Sequence, residues 1–306
     1  MPRRIKPKET KRDWRWWAST LLNGAVVVSM VLGTIFVFAG VSPTRNTLPT
    51  QEVPTAAPTT VAPPTLAPPT SAPPATPTPK ASADYQFAVA GDSRDGDVVY
   101  SKLLKRVASD GNAFLIHTGD LVPNGTTDEW LKFRDMMKDF TLPFHPVPGN
   151  HEVNVGRINA YLQYSGAPAT HYSFDRGAVH FTFVDSSAGS LLESEFAYLD
   201  NDLAASQAAV KIVVVHHPPF DPAGTTHTMT TGGDKFMRVV TQRGVKYVFA
   251  GHIHCYEEAE RDGVQYIITG GAGAPLYCAP TAGGFYHYVR VKVRGEQITT
   301  EVVKIE

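Results

Sequence analysis

The sequence has little cysteine, and this scarcity narrows the class of protein. Its 306 residues include only two cysteines, Cys255 and Cys278, which are too few for a disulfide framework or a zinc ribbon. The two thiols either form one disulfide, in an oxidising compartment, or stay reduced and buried. The chain also lacks a His-Glu-x-x-His motif, which argues against a zinc peptidase.

Positive charge is scarce in the C-terminal part of the chain. Residues 84–306 carry 19 basic and 26 acidic side chains, so their formal charge is −7. Nucleic-acid binding requires a basic surface, and we therefore expect no nucleic-acid partner. Residues 84–306 are numerous enough to form one domain with a substantial core.

Charge is absent altogether from residues 18–41, a run of 24 mostly apolar residues. A helix of this length spans about 36 Å, enough to cross a bilayer. Seven Lys/Arg and three tryptophans precede the run, and no comparable basic cluster follows it. We therefore predict a cytoplasmic N-terminus (1–17), a single-pass transmembrane anchor (18–41) and an extracytoplasmic remainder. A cleaved signal peptide is the alternative, but its apolar core is normally only about 7–15 residues long.

Residues 42–83 are rich in proline and threonine, with 12 of the 24 prolines in the chain and ten threonines. Such a segment cannot bury enough apolar surface to fold. Proline stiffens it towards polyproline II, so we predict a linker that holds the domain 84–306 away from the membrane.

From Tyr85 onward, strand-like and helix-like patterns alternate, which predicts a layered α/β fold. Residues 171–186 indicate a hairpin with its turn at Asp175–Gly177, and the C-terminal tail alternates like antiparallel strands, so the sheets should be mixed. Five of the strand-like runs end in residues that can bind metals. These residues are Asp92; Asp120; Asn150 and His151; His216 and His217; and His252 and His254.

The chemistry of these five strand ends favours a metal site. Ligands of layered α/β folds bind at the carboxyl ends of strands, so turns that are distant in sequence can meet at one rim. Carboxylate oxygens suit hard divalent cations, and imidazoles suit zinc, iron and manganese. Two carboxylates, one amide oxygen and three imidazoles could hold two cations with one aspartate between them. Two divalent cations, two carboxylates and a bridging hydroxide would leave a surplus of about one positive charge, which would attract a phosphate oxygen.

The segments GDSR, HTGDLV, GNHE, VVVHHPPF and GHIHCYE resemble the successive motifs of the calcineurin-like metallophosphoesterases. GHIHCYE and YIITGGAGAPLY resemble especially the purple-acid-phosphatase-like branch. The resemblance implies a four-layer α/β/β/α sandwich of mixed sheets with a dinuclear centre of manganese, iron or zinc. It implies a hydrolase that cleaves phosphate esters with a metal-bound hydroxide. The alternative is a catalytically degenerate binding or scaffold module at the cell surface, and the type of phosphate ester stays open.

Carried over position by position, the resemblance assigns a role to each strand-end residue. His151 would act as general acid or donate a hydrogen bond to the phosphate, and His217 would support the neighbouring ligands or pack against its neighbours. The metal ligands would be Asp92 and His254 for the first cation, Asp120 between the two cations, and Asn150, His216 and His252 for the second.

Arg94 marks a departure from the family pattern. Many members have a ligating histidine at this position, and purple acid phosphatases have a ligating tyrosine where this chain has Pro123. Arginine is always protonated and cannot bind a metal. Arg94 either holds a phosphate oxygen of the substrate or forms a surface salt bridge with Asp95 or Asp97.

Overall fold

The computed structural model describes residues 84–153, 157–224 and 227–306. The strands are β1 (Tyr85–Ala90), β2 (Leu115–His117), β3 (Phe144–Pro146), β4 (Tyr172–Arg176), β5 (Val179–Phe183), β6 (Val210–Val214), β7 (Tyr247–Ala250), β8 (Tyr256–Arg261), β9 (Val264–Thr269), β10 (His287–Arg294) and β11 (Gln297–Lys304). The helices are α1 (Asp97–Ser109), α2 (Thr127–Met137), α3 (Asn150–Val153), α4 (Ile158–Tyr164), α5 (Glu193–Ala205) and α6 (Gly233–Gln242).

The strands form two mixed sheets, as predicted. The first has the order β11-β10-β1-β2-β3, in which β1, β2 and β3 are parallel and β10 is antiparallel to both of its neighbours. The second has the order β4-β5-β6-β7-β9-β8, with β5, β6, β7 and β9 parallel and the two edge strands antiparallel. The hairpin turn predicted at Asp175–Gly177 was placed too early, because β4 continues through Arg176 and pairs it with Val179.

Alternation along the strands builds the layers. In β1, Phe87 and Val89 pack into the space between the sheets, whereas Ala88 and Ala90 face α1 and α2. In β6, Ile212 and Val214 likewise face the first sheet, and Val213 packs against α5 and α6. The order of layers is therefore helices, sheet, sheet, helices. Because these strands are buried on both faces, they appear in the sequence as nearly continuous apolar runs.

The predicted N-terminal segment (1–17), membrane anchor (18–41) and linker (42–83) lie outside the described residues and stay predictions. Among the residues that the structure describes, no helix is both long enough and apolar enough to cross a membrane.

Candidate metal centre

The turns that follow β1, β2 and β7 share an unusual backbone conformation. Asp92, Asp120 and His252 have φ angles of 61°, 57° and 68°, in the left-handed region that side-chain-bearing residues rarely adopt. Each of them directly follows a glycine. Strained residues of this kind persist where the surrounding structure holds them, and they concentrate at functional sites.

Glycines in the turns after β3 and β7 allow the backbones to approach closely. A Cβ atom on Gly149 would lie 2.2 Å from Asp120 Oδ1, and a Cβ atom on Gly251 would lie 2.6 Å from Asp92 Oδ2. Both distances are impossible for real Cβ atoms, so the glycines of these motifs are required for the turns to meet.

His216, Asn150 and one oxygen of Asp120 form the half of the site assigned to the second cation. His216 Nδ1 donates to the carbonyl oxygen of Thr118 at 2.8 Å, which turns Nε2 towards the site. That Nε2 lies 3.0 Å from Asn150 Oδ1 and 3.4 Å from Asp120 Oδ1. The ring of His252 lies beside it, with the two ring centroids 5.1 Å apart.

Asp92 and His254 form the half assigned to the first cation. His254 Nδ1 donates to the carbonyl oxygen of Pro275 at 2.7 Å, and its Nε2 lies 3.5 Å from Asp92 Oδ1. The backbone N–H of His252 donates to both carboxylate oxygens of Asp92, at 3.1 and 3.0 Å. The two halves of the site are therefore joined through His252 as well as through Asp120.

Arg94 enters this site and does not lie on the open surface. Its Nη1 forms an ion pair with Asp95 at 2.8 Å, and its Nε lies 3.4 Å from Asp120 Oδ2. Its side chain is only 15% exposed. The second suggested surface partner, Asp97, pairs with Lys132 instead. Arg94 thus has one of the two predicted salt bridges and also reaches the centre of the site.

His151 lies at the edge of the site with one ring nitrogen fixed. Its Nδ1 donates to the carbonyl oxygen of Pro123, which leaves Nε2 directed inward, 3.7 Å from Asp120 Oδ2. The backbone N–H of His151 donates to Asp120 Oδ1 at 3.1 Å. The structure thus brings all eight predicted site residues together, while their individual roles stay predictions.

Glu152 connects two of the turns from beneath. Its carboxylate is fully buried, and it accepts backbone N–H bonds from Asp120 and Val122 at 3.0 Å and from Gly149 at 2.6 Å. Burial, and after it the charge of Asp120, raises the pKa of Glu152 to about 8. The sequence shows only that Glu152 directly follows His151; the structure shows that it joins the turn after β2 to the turn after β3.

The donor set fits a bound cation. Asp92 and Asp120 are at most 1% exposed, and in the described part of the chain only Arg94 gives either of them a lysine or arginine ion pair. Such a concentration of buried negative charge is costly unless a cation balances it. Burial accordingly raises the pKa of Asp92 above its ordinary value.

Two of the three predicted imidazole ligands, His216 and His252, are in the protonation state that a metal requires. Burial and the neighbouring His217 lower the pKa of His216 well below its ordinary value, and burial lowers the pKa of His252 to about 2. Both rings are therefore neutral and able to donate a nitrogen lone pair. His217, predicted to support the neighbouring ligands or pack against its neighbours, does pack against His252, with ring centroids 4.0 Å apart. Its ring nitrogens also lie close enough to those of His216 and His252 to contribute to the same cation site.

Tyr277 is a site residue that sequence reasoning missed. Its ring stacks on His254 with centroids 4.1 Å apart, and its backbone N–H donates to the His254 carbonyl oxygen at 3.2 Å. Cys255 and Cys278, the residues that follow His254 and Tyr277, form a disulfide, which resolves the question of their pairing. Had this pairing been known, the sequence would have placed Tyr277 beside His254.

Comparisons with known proteins agree with this geometry. The sequence model of the calcineurin-like phosphoesterases matches residues 85–256. A 3',5'-cyclic-nucleotide phosphodiesterase of Nostoc sp. is 26% identical over 172 residues, which cover 54% of this chain and 62% of that protein. Purple acid phosphatase 23 of Arabidopsis thaliana is 29% identical over 154 residues, which cover 44% of this chain and 33% of that protein.

A solved structure supports the same fold. The purple acid phosphatase isolated from yellow lupin (Lupinus luteus) seeds superposes with a TM-score of 0.63 at 17% identity, covering 75% of this chain and 53% of that one. The chain thus spans less than two thirds of the length of each of these three relatives.

Proposed function

The chain belongs to the calcineurin-like phosphoesterase family, a family of dimetal-dependent phosphoesterases, and from this membership we propose that it hydrolyses phosphate esters at the centre described above. The predicted similarity to purple acid phosphatases is supported by relatives in sequence and in structure. The substrate class is narrowed only to phosphate esters, because the relatives include both phosphatases and cyclic-nucleotide phosphodiesterases.

One observation carries the proposal. Five turns from two different sheets converge so that two buried carboxylates, an amide oxygen and three imidazoles face one another. This convergence requires two aspartates with left-handed backbone conformation, and it requires several glycines at positions that have no room for a side chain. So strained and so negatively charged an interior is what a bound cation would stabilise.

Two cations would be held by these residues, the first by Asp92 and His254 and the second by Asn150, His216 and His252, with Asp120 between them. When bound, such cations supply Lewis-acid neutralisation of phosphoryl charge and a lowered pKa for coordinated water. The chain offers imidazole, amide and carboxylate ligands, which suit manganese, iron and zinc alike.

Two further side chains would act on the substrate directly. His151 presents Nε2 to the site because its Nδ1 donates to the carbonyl oxygen of Pro123. The doubly protonated ring can therefore pass its Nε2 proton to the departing alcohol oxygen and keep its Nδ1 proton. Arg94 presents a fixed positive charge beside Asp120 and can donate a hydrogen bond to a non-bridging phosphate oxygen.

We further propose that the catalytic domain lies outside the cytoplasm, attached to a membrane by residues 18–41 and spaced from it by residues 42–83. The asymmetric basic charge before the apolar run supports this orientation. The Cys255–Cys278 disulfide supports it independently, since structural disulfides persist mainly in oxidising compartments.

A binding or scaffold module is the second candidate, and Arg94 is the observation in its favour, because it occupies a position where a ligand is expected. The two candidates predict different results for catalysis. A scaffold should bind cations without turning over any phosphate ester.

The test is metal-dependent turnover by the full-length chain. The metal-free protein is reconstituted with manganese, zinc or iron and given an aryl phosphate monoester or an aryl phosphate diester. We expect metal-dependent hydrolysis that disappears in Asp120→Ala and His216→Ala and persists in Asp135→Ala, which changes an exposed carboxylate on α2. A folded, metal-binding protein without turnover on either ester would reject the enzyme and favour the scaffold.

A further inference from the structure

We infer that Arg94 makes the two cation positions unequal in affinity. The position of Asn150, His216 and His252 binds a cation tightly. The position of Asp92 and His254 binds a cation weakly, because the Arg94 guanidinium already neutralises part of the negative charge of Asp120. The inference rests on the proposed metal centre and goes beyond it, since it assigns an order of filling and names the residue that sets it.

The two oxygens of Asp120 have different surroundings. Oδ1 lies 3.4 Å from His216 Nε2 and accepts the backbone N–H of His151 at 3.1 Å, so it faces the second position. Oδ2 lies 3.4 Å from Arg94 Nε, closer than the 3.7 Å that separates it from His151 Nε2. The carboxylate therefore connects imidazole on one side with a permanent cation on the other.

Arg94 is firmly held in this place. Its backbone N–H donates to the Asp120 carbonyl oxygen at 3.1 Å, and its Nη1 is fixed by Asp95 at 2.8 Å. A guanidinium cannot lose its proton in a protein and has no lone pair for a metal. A cation that approaches Oδ2 thus meets a charge of its own sign that can neither titrate away nor become a ligand.

The first position also has fewer ligands. The side chains assigned to it are Asp92 and His254, with Asp92 Oδ1 3.5 Å from His254 Nε2, and the shared Asp120. Ligand atoms of Asp92 and Asp120 also lie within 4.8 Å of one of His216, which is assigned to the second position. Both oxygens of Asp92 already accept the backbone N–H of His252. The second position has three neutral donors of its own in addition to Asp120. The smaller number of ligands and the repulsion by Arg94 therefore both lower the cation affinity of the first position.

The size of the effect follows from removing one charge next to a partly buried divalent ion. Single changes in the environment of metal ligands alter metal affinity by roughly 10- to 100-fold. We expect Arg94→Gln to tighten the weaker step by that factor and to leave the stronger step unchanged.

The experiment is a titration of the metal-free, full-length chain with Mn²⁺ alone, without phosphate. Binding is followed by calorimetry and by the electron paramagnetic resonance signal of free Mn²⁺. The wild type is expected to bind in two steps that differ at least about tenfold in affinity. Arg94→Gln should bring the steps together, and Arg94→His, which replaces the charge by a possible ligand, should do so further. Arg94→Lys keeps the charge and should retain the weak step.

Arg243→Gln is the matched control, because it removes the same charge from an ion pair with Asp200, away from the site. The inference is overturned if the wild-type steps are equal, if Arg94→Gln leaves the weaker step in place, or if Arg94→Lys or Arg243→Gln has the same effect. Turnover is measured on the same samples. An active enzyme with two equal steps would refute the inference and leave the proposed function intact, whereas absence of Mn²⁺ binding together with no turnover with manganese, zinc or iron would refute both.

Discussion

The buried carboxylate of Glu152 allows a quantitative test of how the site is held together. Its Oε2 accepts the N–H groups of Asp120 and Gly149, and its Oε1 accepts that of Val122. The substitution Glu152→Gln keeps the shape but replaces one oxygen by a donor. In its best orientation the new NH₂ group faces Val122 N–H and leaves that buried donor unpaired.

An unpaired buried donor costs about 1–3 kcal/mol, so the free energy of unfolding of Glu152→Gln should fall by that amount. The assay is urea unfolding of the metal-free chain followed by circular dichroism, at pH 5, where Glu152 is protonated in the folded chain because its pKa is about 8, so the substitution removes no buried charge. Mn²⁺ affinity should also fall, since the turn that carries Asp120 loses its support. Glu296→Gln, at an exposed position, is the control and should change stability by less than about 0.5 kcal/mol.

A loss below about 0.5 kcal/mol in Glu152→Gln, with unchanged Mn²⁺ affinity, would refute this account of the turns.

Three further predictions concern protonation and the disulfide. Burial lowers the pKa of His117 to about 3, so its contribution to stability should be complete above about pH 6.5 and should fall progressively as the pH is lowered from 6.5 towards 3. Thermal unfolding of the metal-free chain between pH 7 and 4 should show this loss, and His117→Gln should reduce the pH dependence of stability. The side-chain hydrogen bond to Asp202 raises the pKa of His180, so its contribution should be present below pH ~6.5 and lost as the pH rises through the raised value; His180→Gln should flatten the stability curve there, and an unchanged curve would count against the ion pair. Reduction of Cys255–Cys278, which closes a loop of 23 residues, should lower the free energy of unfolding by about 3 kcal/mol, and equal urea midpoints for reduced and oxidised protein would contradict it.

The five ligand-bearing turns could be predicted because their signals are local. An apolar run ends, glycine follows at most of them, and a metal-capable side chain comes next, as at Asp92 and His252. Left-handed backbone at these aspartates and at His252 was not predicted, because it depends on which neighbouring turn each one contacts. The layered fold likewise followed from alternating patterns, but the pairing of β10 with β1 joins opposite ends of the domain and has no local signal.

The side-chain contacts of Arg94 and Tyr277 show where sequence reasoning stops. Asp95 and Asp97 were equally plausible partners for Arg94 by spacing, and only the turn geometry selects Asp95 and adds Asp120. Tyr277 lies in a loop without periodicity, and its place depends on a disulfide whose pairing the sequence left open.

The central claim is that these turns form one metal centre, and anomalous diffraction from manganese-loaded crystals tests it most directly. We predict the strongest anomalous peak among Asp120, Asn150, His216 and His252. A strongest peak elsewhere on the domain, or no peak at this place in protein that binds manganese in solution, would contradict the account.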